Sequence, residues 1–170
     1  VCWSAASDVY KRLLYNTLVS VTGIGWAVEF SAPGMIPRQT GMEGRHVLLA
    51  EDNELIREIA LELLKMAGIT VDCARDGREA VDKFLSCRDC YDLILMDVQM
   101  PVMDGYQATD AIRKSEHPRA RTIPIVAMTA DAFHEDVMRA YSAGMNGHIT
   151  KPIDQKVLYQ VLSETMAGQR

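Results

Sequence analysis

From residue 45 onward the chain alternates five times between a short apolar run and an amphipathic stretch. The apolar runs predict strands at His46–Ala50, Ile69–Cys73, Leu93–Asp97, Ile123–Met128 and Gly147–Ile149. Three of them contain VLLA, LILM and IPIVAM, apolar on consecutive rather than alternate positions. A strand reads that way when helices cover both of its faces. The stretches between them carry apolar stripes at helical spacing. In the first, Ile56, Ile59, Ala60, Leu63, Leu64 and Ala67 recur on one side, and Gly68 marks the stop. The second opens on Asp76-Gly-Arg-Glu79, a capping arrangement, and turns Ala80, Val81, Phe84 and Leu85 inward. A third helix is expected from about Tyr106 to Lys114 and a fourth from about Ala132 to Ala143, ending at Gly144. The last follows Asp154 and presents Val157, Leu158, Val161 and Leu162. Five such units predict an α/β fold: a doubly wound, mostly parallel sheet with right-handed crossovers and helices on both faces.

Ahead of residue 44 this rhythm is missing. SAPGMIPRQTGMEG, Ser31 to Gly44, is rich in Pro and Gly and reads as a linker. DVYKRLLYNTLVS, Asp8 to Ser20, has the character of an amphipathic helix. It is either the last helix of a preceding domain or an arm packed on the following domain or on a second copy. The expected division is therefore 1–44 for a helical arm with its linker and 45–170 for the folded domain.

Composition narrows the class. The chain has 170 residues, 48% of them hydrophobic and 24% charged, the balance of a soluble globular protein. A net charge of −5 without a Lys/Arg cluster argues against a nucleic-acid partner. The first residues lack a basic segment followed by an apolar core, so no secretory signal is read. Leu13 to Phe30 is fairly apolar but carries Asn16, Glu29 and two glycines, a poor membrane span. A cytoplasmic location without direct membrane contact is expected. Of the four cysteines, Cys87 and Cys90 form a C-x-x-C pair without a second pair to complete a zinc site. They are expected as reduced thiols, with Cys73 buried at a strand end.

Chemistry gathers where such a sheet places its site, beyond the carboxyl ends of its strands. Strand one ends in Glu51-Asp52, strand three in Asp97 and strand four in Thr129-Ala130, and strand five is followed by Lys151-Pro152. Each alone has an ordinary explanation. Glu51 and Asp52 suit a helix start, Asp97 a helix cap, Thr129 a local backbone bond and Lys151 a solvated surface. Four strand ends converging on one edge point to a site. Three neighbouring carboxylates repel one another unless a cation neutralises them, and hard oxygen donors with room for water suit Mg²⁺. Asp97 is the candidate nucleophile, because an aspartate can form an acyl phosphate. Phosphoryl transfer needs mainly positioning and charge neutralisation, which Asp52, Thr129, Lys151 and a metal can supply.

HVLLAEDNELIREIA, DLILMDVQMPVMDGYQA, IPIVAMTA and GHITKPI, in this order and spacing, closely resemble receiver domains of two-component signalling, of the kind fused to hybrid sensor histidine kinases. The resemblance covers about residues 45 to 166. It implies a flavodoxin-like strand order, 2-1-3-4-5, and a cofactor of Mg²⁺ or Mn²⁺. It makes Asp97 the phosphoacceptor and Glu51 and Asp52 the acidic pair, Asp52 binding metal directly and Glu51 through water. The Gln99 backbone carbonyl completes the metal shell, and the Ala130 backbone N–H serves the phosphoryl group. Thr129 is the switch hydroxyl, Lys151 pairs with phosphoryl oxygens, and Lys151-Pro152 is expected cis. The implied phosphodonor is a histidine kinase or histidine phosphotransfer domain, and a homodimer is a further possible assembly. His148 departs from the pattern, since receivers commonly carry Tyr or Phe at that switch position. The resemblance also implies a larger parent, a hybrid kinase that could itself be membrane-anchored.

Two rival readings remain distinct. A receiver-like interaction module acting without phosphorylation usually lacks one of the acidic, Thr or Lys positions, all of which are kept here. A haloacid-dehalogenase-type phosphohydrolase wants a second Asp two residues after the nucleophile, where this chain has Gln99. No histidine lies in an H-E-x-x-x-P-like setting, so the segment is not itself a kinase, and His46, His117 and His134 read as structural or surface residues.

Overall fold

A computed structural model of the chain describes residues 42–130 and 134–167, and of residues 134–136 the backbone alone. The proposed arm and linker at 1–44 lie almost wholly outside the described residues. Within them run β1 (His46–Ala50), α1 (Glu54–Met66), β2 (Thr70–Ala74), α2 (Gly77–Ser86), β3 (Leu93–Asp97), α3 (Gly105–Lys114), β4 (Ile125–Thr129), α4 (His134–Ser142), β5 (Gly147–Thr150) and α5 (Gln155–Ala167). All strand pairs are parallel, in the order β2-β1-β3-β4-β5. The expected fold class and order are borne out.

Alternation along the buried strands sends side chains to opposite faces and builds two cores. Leu48, Ile94, Met96 and Ile125 join Phe84 and Ile112 on the side of α2 and α3. Val47, Leu49, Leu95, Val126 and Met128 join Leu64, Leu158 and Leu162 on the side of α1 and α5. Every residue of β3 and β4 is buried, which accounts for their unbroken apolar runs. Local signals fix the helix ends. The Asn53 side chain accepts from Leu55 N and Ile56 N at the start of α1, and Gly68 follows its end at φ 77°. Asp104 and Gln107 close a capping box on α3.

Several expectations are corrected. β4 begins at Ile125 rather than Ile123, because Pro124 lacks an N–H for the ladder. Its carbonyl still accepts from Ile94 N at 2.9 Å. Ile59, Leu85 and Val157 belong to their helical stripes by spacing, yet they stand exposed where the apolar arc is wider than the contact with the sheet. Cys73 is half-buried, since β2 is an edge strand and only Ala74 in it is buried. Cys87 and Cys90 are joined in a disulfide instead of standing as reduced thiols. The end of α2 sets their Cα atoms 5.8 Å apart, within bridging reach.

Candidate functional site

The carboxyl edge of the sheet collects the predicted residues. Parallel register sets Asp97 beside Met128 and Thr129 beside Thr150, so β3, β4 and β5 deliver Asp97, Thr129 and Lys151 to one rim. The Lys151 N–H donates to the Thr129 carbonyl at 2.7 Å, extending the ladder to the lysine. The peptide that follows, Lys151-Pro152, is cis as expected.

Lys151 Nζ is the hub. It lies 2.7 Å from Asp97 Oδ2 and 2.7 Å from Glu51 Oε2. Asp97 is 3% exposed and Glu51 fully buried, so water screens these contacts poorly. Asp97 Oδ1 accepts from Gln99 N at 3.1 Å, and Glu51 Oε1 from Asn53 N at 3.2 Å. Burial pushes the Glu51 carboxyl above its usual range, and the Asp97 charge adds to this against the opposing Lys151 hydrogen bond. Burial by itself would lower the Lys151 ammonium, but hydrogen bonds to Asp97 and Glu51 outweigh it and hold the value above normal. Lysine therefore stays charged between two carboxylates.

Asp52 is exposed, next to the buried Glu51, and faces the same opening. Carboxylate oxygens of Glu51, Asp52 and Asp97 all lie within 4.8 Å of one another. Three hard oxygen donors with one solvent-facing member fit a divalent cation that keeps part of its water. The chemistry available is thus an acidic nest, a buried nucleophilic carboxylate and a captive ammonium group, open to an incoming anion.

Thr129 is buried at the end of β4, and Ala130 after it is exposed. Gln99 is exposed, two residues past Asp97. His148 is half-buried on β5, its ring 6.4 Å edge-on from Tyr141 of α4. An aromatic ring thus stands beside the position where the sequence lacks one. The structure brings every predicted site residue to this edge or, for His148, to the strand that carries Lys151.

Sequence reasoning missed Arg57. Its Nη1 donates to the Glu51 carbonyl at 2.9 Å and the Asp52 carbonyl at 3.2 Å, clamping the loop that carries the acidic pair. A cation so near a helix N-terminus opposes the dipole, and that misfit was the available signal. Also missed was an open cleft of about 450 Å³ beside the nest, lined by Asp52, Gln99, Tyr106 and Arg139. The Arg139 guanidinium sits 4.4 Å over the Tyr106 ring, tying α4 to α3 there.

Compared with known proteins, residues 47–163 match the family described as response regulator receiver domain. A hybrid signal transduction histidine kinase of Dictyostelium discoideum is 37% identical over 151 residues, covering 87% of this chain. The match spans only 8% of that relative. The receiver domain of a Pseudomonas aeruginosa sensor histidine kinase, solved with magnesium coordinated in its active-site cleft, shares 37% identity at a TM-score of 0.66. The match covers 73% of this chain and 98% of that one. The receiver domain of Saccharomyces cerevisiae Ssk1, crystallised with the histidine phosphotransfer protein Ypd1, gives 29% identity and a TM-score of 0.67, covering 76% of this chain and 93% of that one.

Proposed function

The chain belongs to the response regulator receiver domain family, and from that premise we propose that Asp97 accepts a phosphoryl group from a phosphohistidine in a two-component phosphorelay. The observation that carries this reading is the buried Asp97 carboxylate held at 2.7 Å by Lys151 within the acidic nest. In the transfer, an Asp97 oxygen forms a bond to phosphorus as the phosphorus–nitrogen bond to the donor imidazole breaks. The imidazole leaves with the electron pair and takes up a proton. Lys151, already aimed at Asp97, offers its ammonium to the phosphoryl oxygens.

Asp52, Asp97 and the Gln99 carbonyl, with Glu51 through water, would hold Mg²⁺ or Mn²⁺, which when bound neutralises charge on the transferring group. The Ala130 N–H is the proposed backbone donor to the phosphoryl oxygens. Thr129 is the proposed switch: its hydroxyl turns to the phosphorylated Asp97 and biases the face built from α4, β5 and α5. His148, edge-on to Tyr141, would carry that change outward in place of the usual aromatic.

The proposed donor is a histidine kinase or histidine phosphotransfer domain, and a homodimer belongs to the reading. Residues 45–170 are proposed as the receiver and 1–44 as an arm with its linker joining it to a larger, hybrid-kinase parent. Among the described residues no helix is long and apolar enough to cross a membrane. The test is transfer from a radiolabelled phosphohistidine protein, with magnesium and then with a chelator. Label on this chain that depends on the metal supports the reading. A chain that binds the donor and takes no label acts as an interaction module instead.

A further inference from the structure

The loop between α2 and β3 carries a second covalent chemistry, at the end of the sheet opposite Asp97. Cys87 is the C-cap of α2 and is bonded to Cys90, three residues on. Cys90 is exposed and Cys87 half-buried, so a thiolate of another molecule can reach the outer sulfur.

The bridge is not what holds this loop. On one side Phe84 is buried and its ring centroid lies 4.2 Å from that of His117. The His117 Nε2 is in turn 3.1 Å from the Cys87 carbonyl. On the other side Tyr91 is buried, its hydroxyl donates to Asp72 at 2.8 Å, and its carbonyl accepts from Arg119. Asp92 next to it accepts from Arg45 and from the His46 backbone, both at 2.8 Å. Both ends of the loop are thus fixed without sulfur, and the bridged and dithiol forms suit the same fold. A bridge across so short a span also removes little chain entropy, because that contribution grows with loop length.

The place at the helix C-terminus defines the reductant. The negative end of the α2 dipole opposes a thiolate at Cys87, unlike a C-x-x-C pair at a helix N-terminus, so the reduced form gains no help and the disulfide is favoured. A monothiol that opens the bridge leaves a neighbouring cysteine three residues away, which displaces it and closes the bridge again. A dithiol does not stall in this way.

We infer that Cys87 and Cys90 form a reversible redox site that exchanges with a dithiol reductant, separate from the Asp97 chemistry. One reductant thiolate attacks Cys90 Sγ, the S–S bond breaks, and Cys87 leaves as a thiolate that takes up a proton. The second reductant thiol then attacks the mixed disulfide, freeing Cys90 and leaving the reductant as its own disulfide. Two electrons and two protons pass to the protein.

Tryptic cleavage after Arg88 makes the test direct, because Phe84–Arg88 and Asp89–Arg113 then stay joined only through the bridge. The full chain, folded and equilibrated in buffers of reduced and oxidised dithiothreitol, is quenched by alkylation and digested. The expected result is a joined pair lost in one two-electron step as the reduced fraction rises, with two new alkylations, at Cys87 and Cys90. Glutathione at matched thiol concentration is expected to leave the joined pair intact, and Cys87→Ser to abolish it. Free thiols throughout the series would overturn the inference. So would a bridge that opens only in denaturant, or a stable glutathione adduct on Cys90.

Discussion

Arg57 shows how a single side chain can serve a site it never enters. Its two hydrogen bonds to the Glu51 and Asp52 carbonyls set the path of the loop that presents the acidic pair. Arg57→Gln is expected to raise the magnesium concentration needed for half-maximal labelling by roughly tenfold, equivalent to losing one charge-assisted hydrogen bond of about 1.4 kcal/mol. The maximal rate should change little, and Arg57→Lys should recover part of the loss. A magnesium titration followed by thermal shift gives the same comparison without turnover. Val102 has a different local problem. It is 82% exposed, β-branched, and held at φ 68° by a tight turn in which Met103 N donates to Pro101 O at 2.7 Å. Val102→Asn should relieve that backbone cost and stabilise the fold by about 1 kcal/mol, read as a higher urea midpoint. Neither residue's role was legible in the sequence. Periodicity says which face a residue occupies, but not that a guanidinium folds back onto two carbonyls or that a valine sits at positive φ.

At the scale of elements, β1 and β3 were legible to the residue, because a strand covered on both faces has little choice but an apolar run ending in polar residues. The helices were legible from their stripes and caps. Less so were the exposed Ile59, Leu85 and Val157, since spacing defines an arc and contact with the sheet uses only part of it. The disulfide was not legible either, because C-x-x-C spacing fits several states and only the geometry at the end of α2 chooses among them. Gly105 links element to site more tightly than its place in MDG suggested. A Cβ there would run into the Asp97 carbonyl. Gly105→Ala should therefore push α3 away from the acceptor strand, costing on the order of 2–3 kcal/mol and slowing phosphorylation together. Chemical denaturation and a labelling time course on the same variant check both effects.

For the molecule as a whole, the buried acid–lysine pairing ties stability to pH and to metal. Glu51 holds its proton to a higher pH folded than unfolded, where its ordinary value is 4.5. The folded state then binds more protons than the unfolded one above that value, and stability falls as pH rises through the window up to the raised pKa. Glu51→Gln should flatten this slope in denaturant midpoints taken with a chelator between about pH 4 and pH 7. Lys151 acts at the far end: its raised value makes its contribution complete below 10.5 and lost as pH climbs through the folded pKa. Metal acts against the protons, because the carboxylates bind it only when ionised. Magnesium at a hundred times its dissociation constant should add about 2.7 kcal/mol of stability, and less at acid pH. The strand-end cluster was legible because four ends had to meet at one edge once the sheet was parallel. Its electrostatics were not, since burial and the 2.7 Å contacts follow from packing. The role of Asp97 as phosphoacceptor is decided by labelling the full chain and its Asp97→Asn variant with a small acyl phosphate in the presence of magnesium. Acid-stable, base-labile label is expected on the native chain and none on the variant, with both folded by circular dichroism. Full labelling of Asp97→Asn would contradict that role.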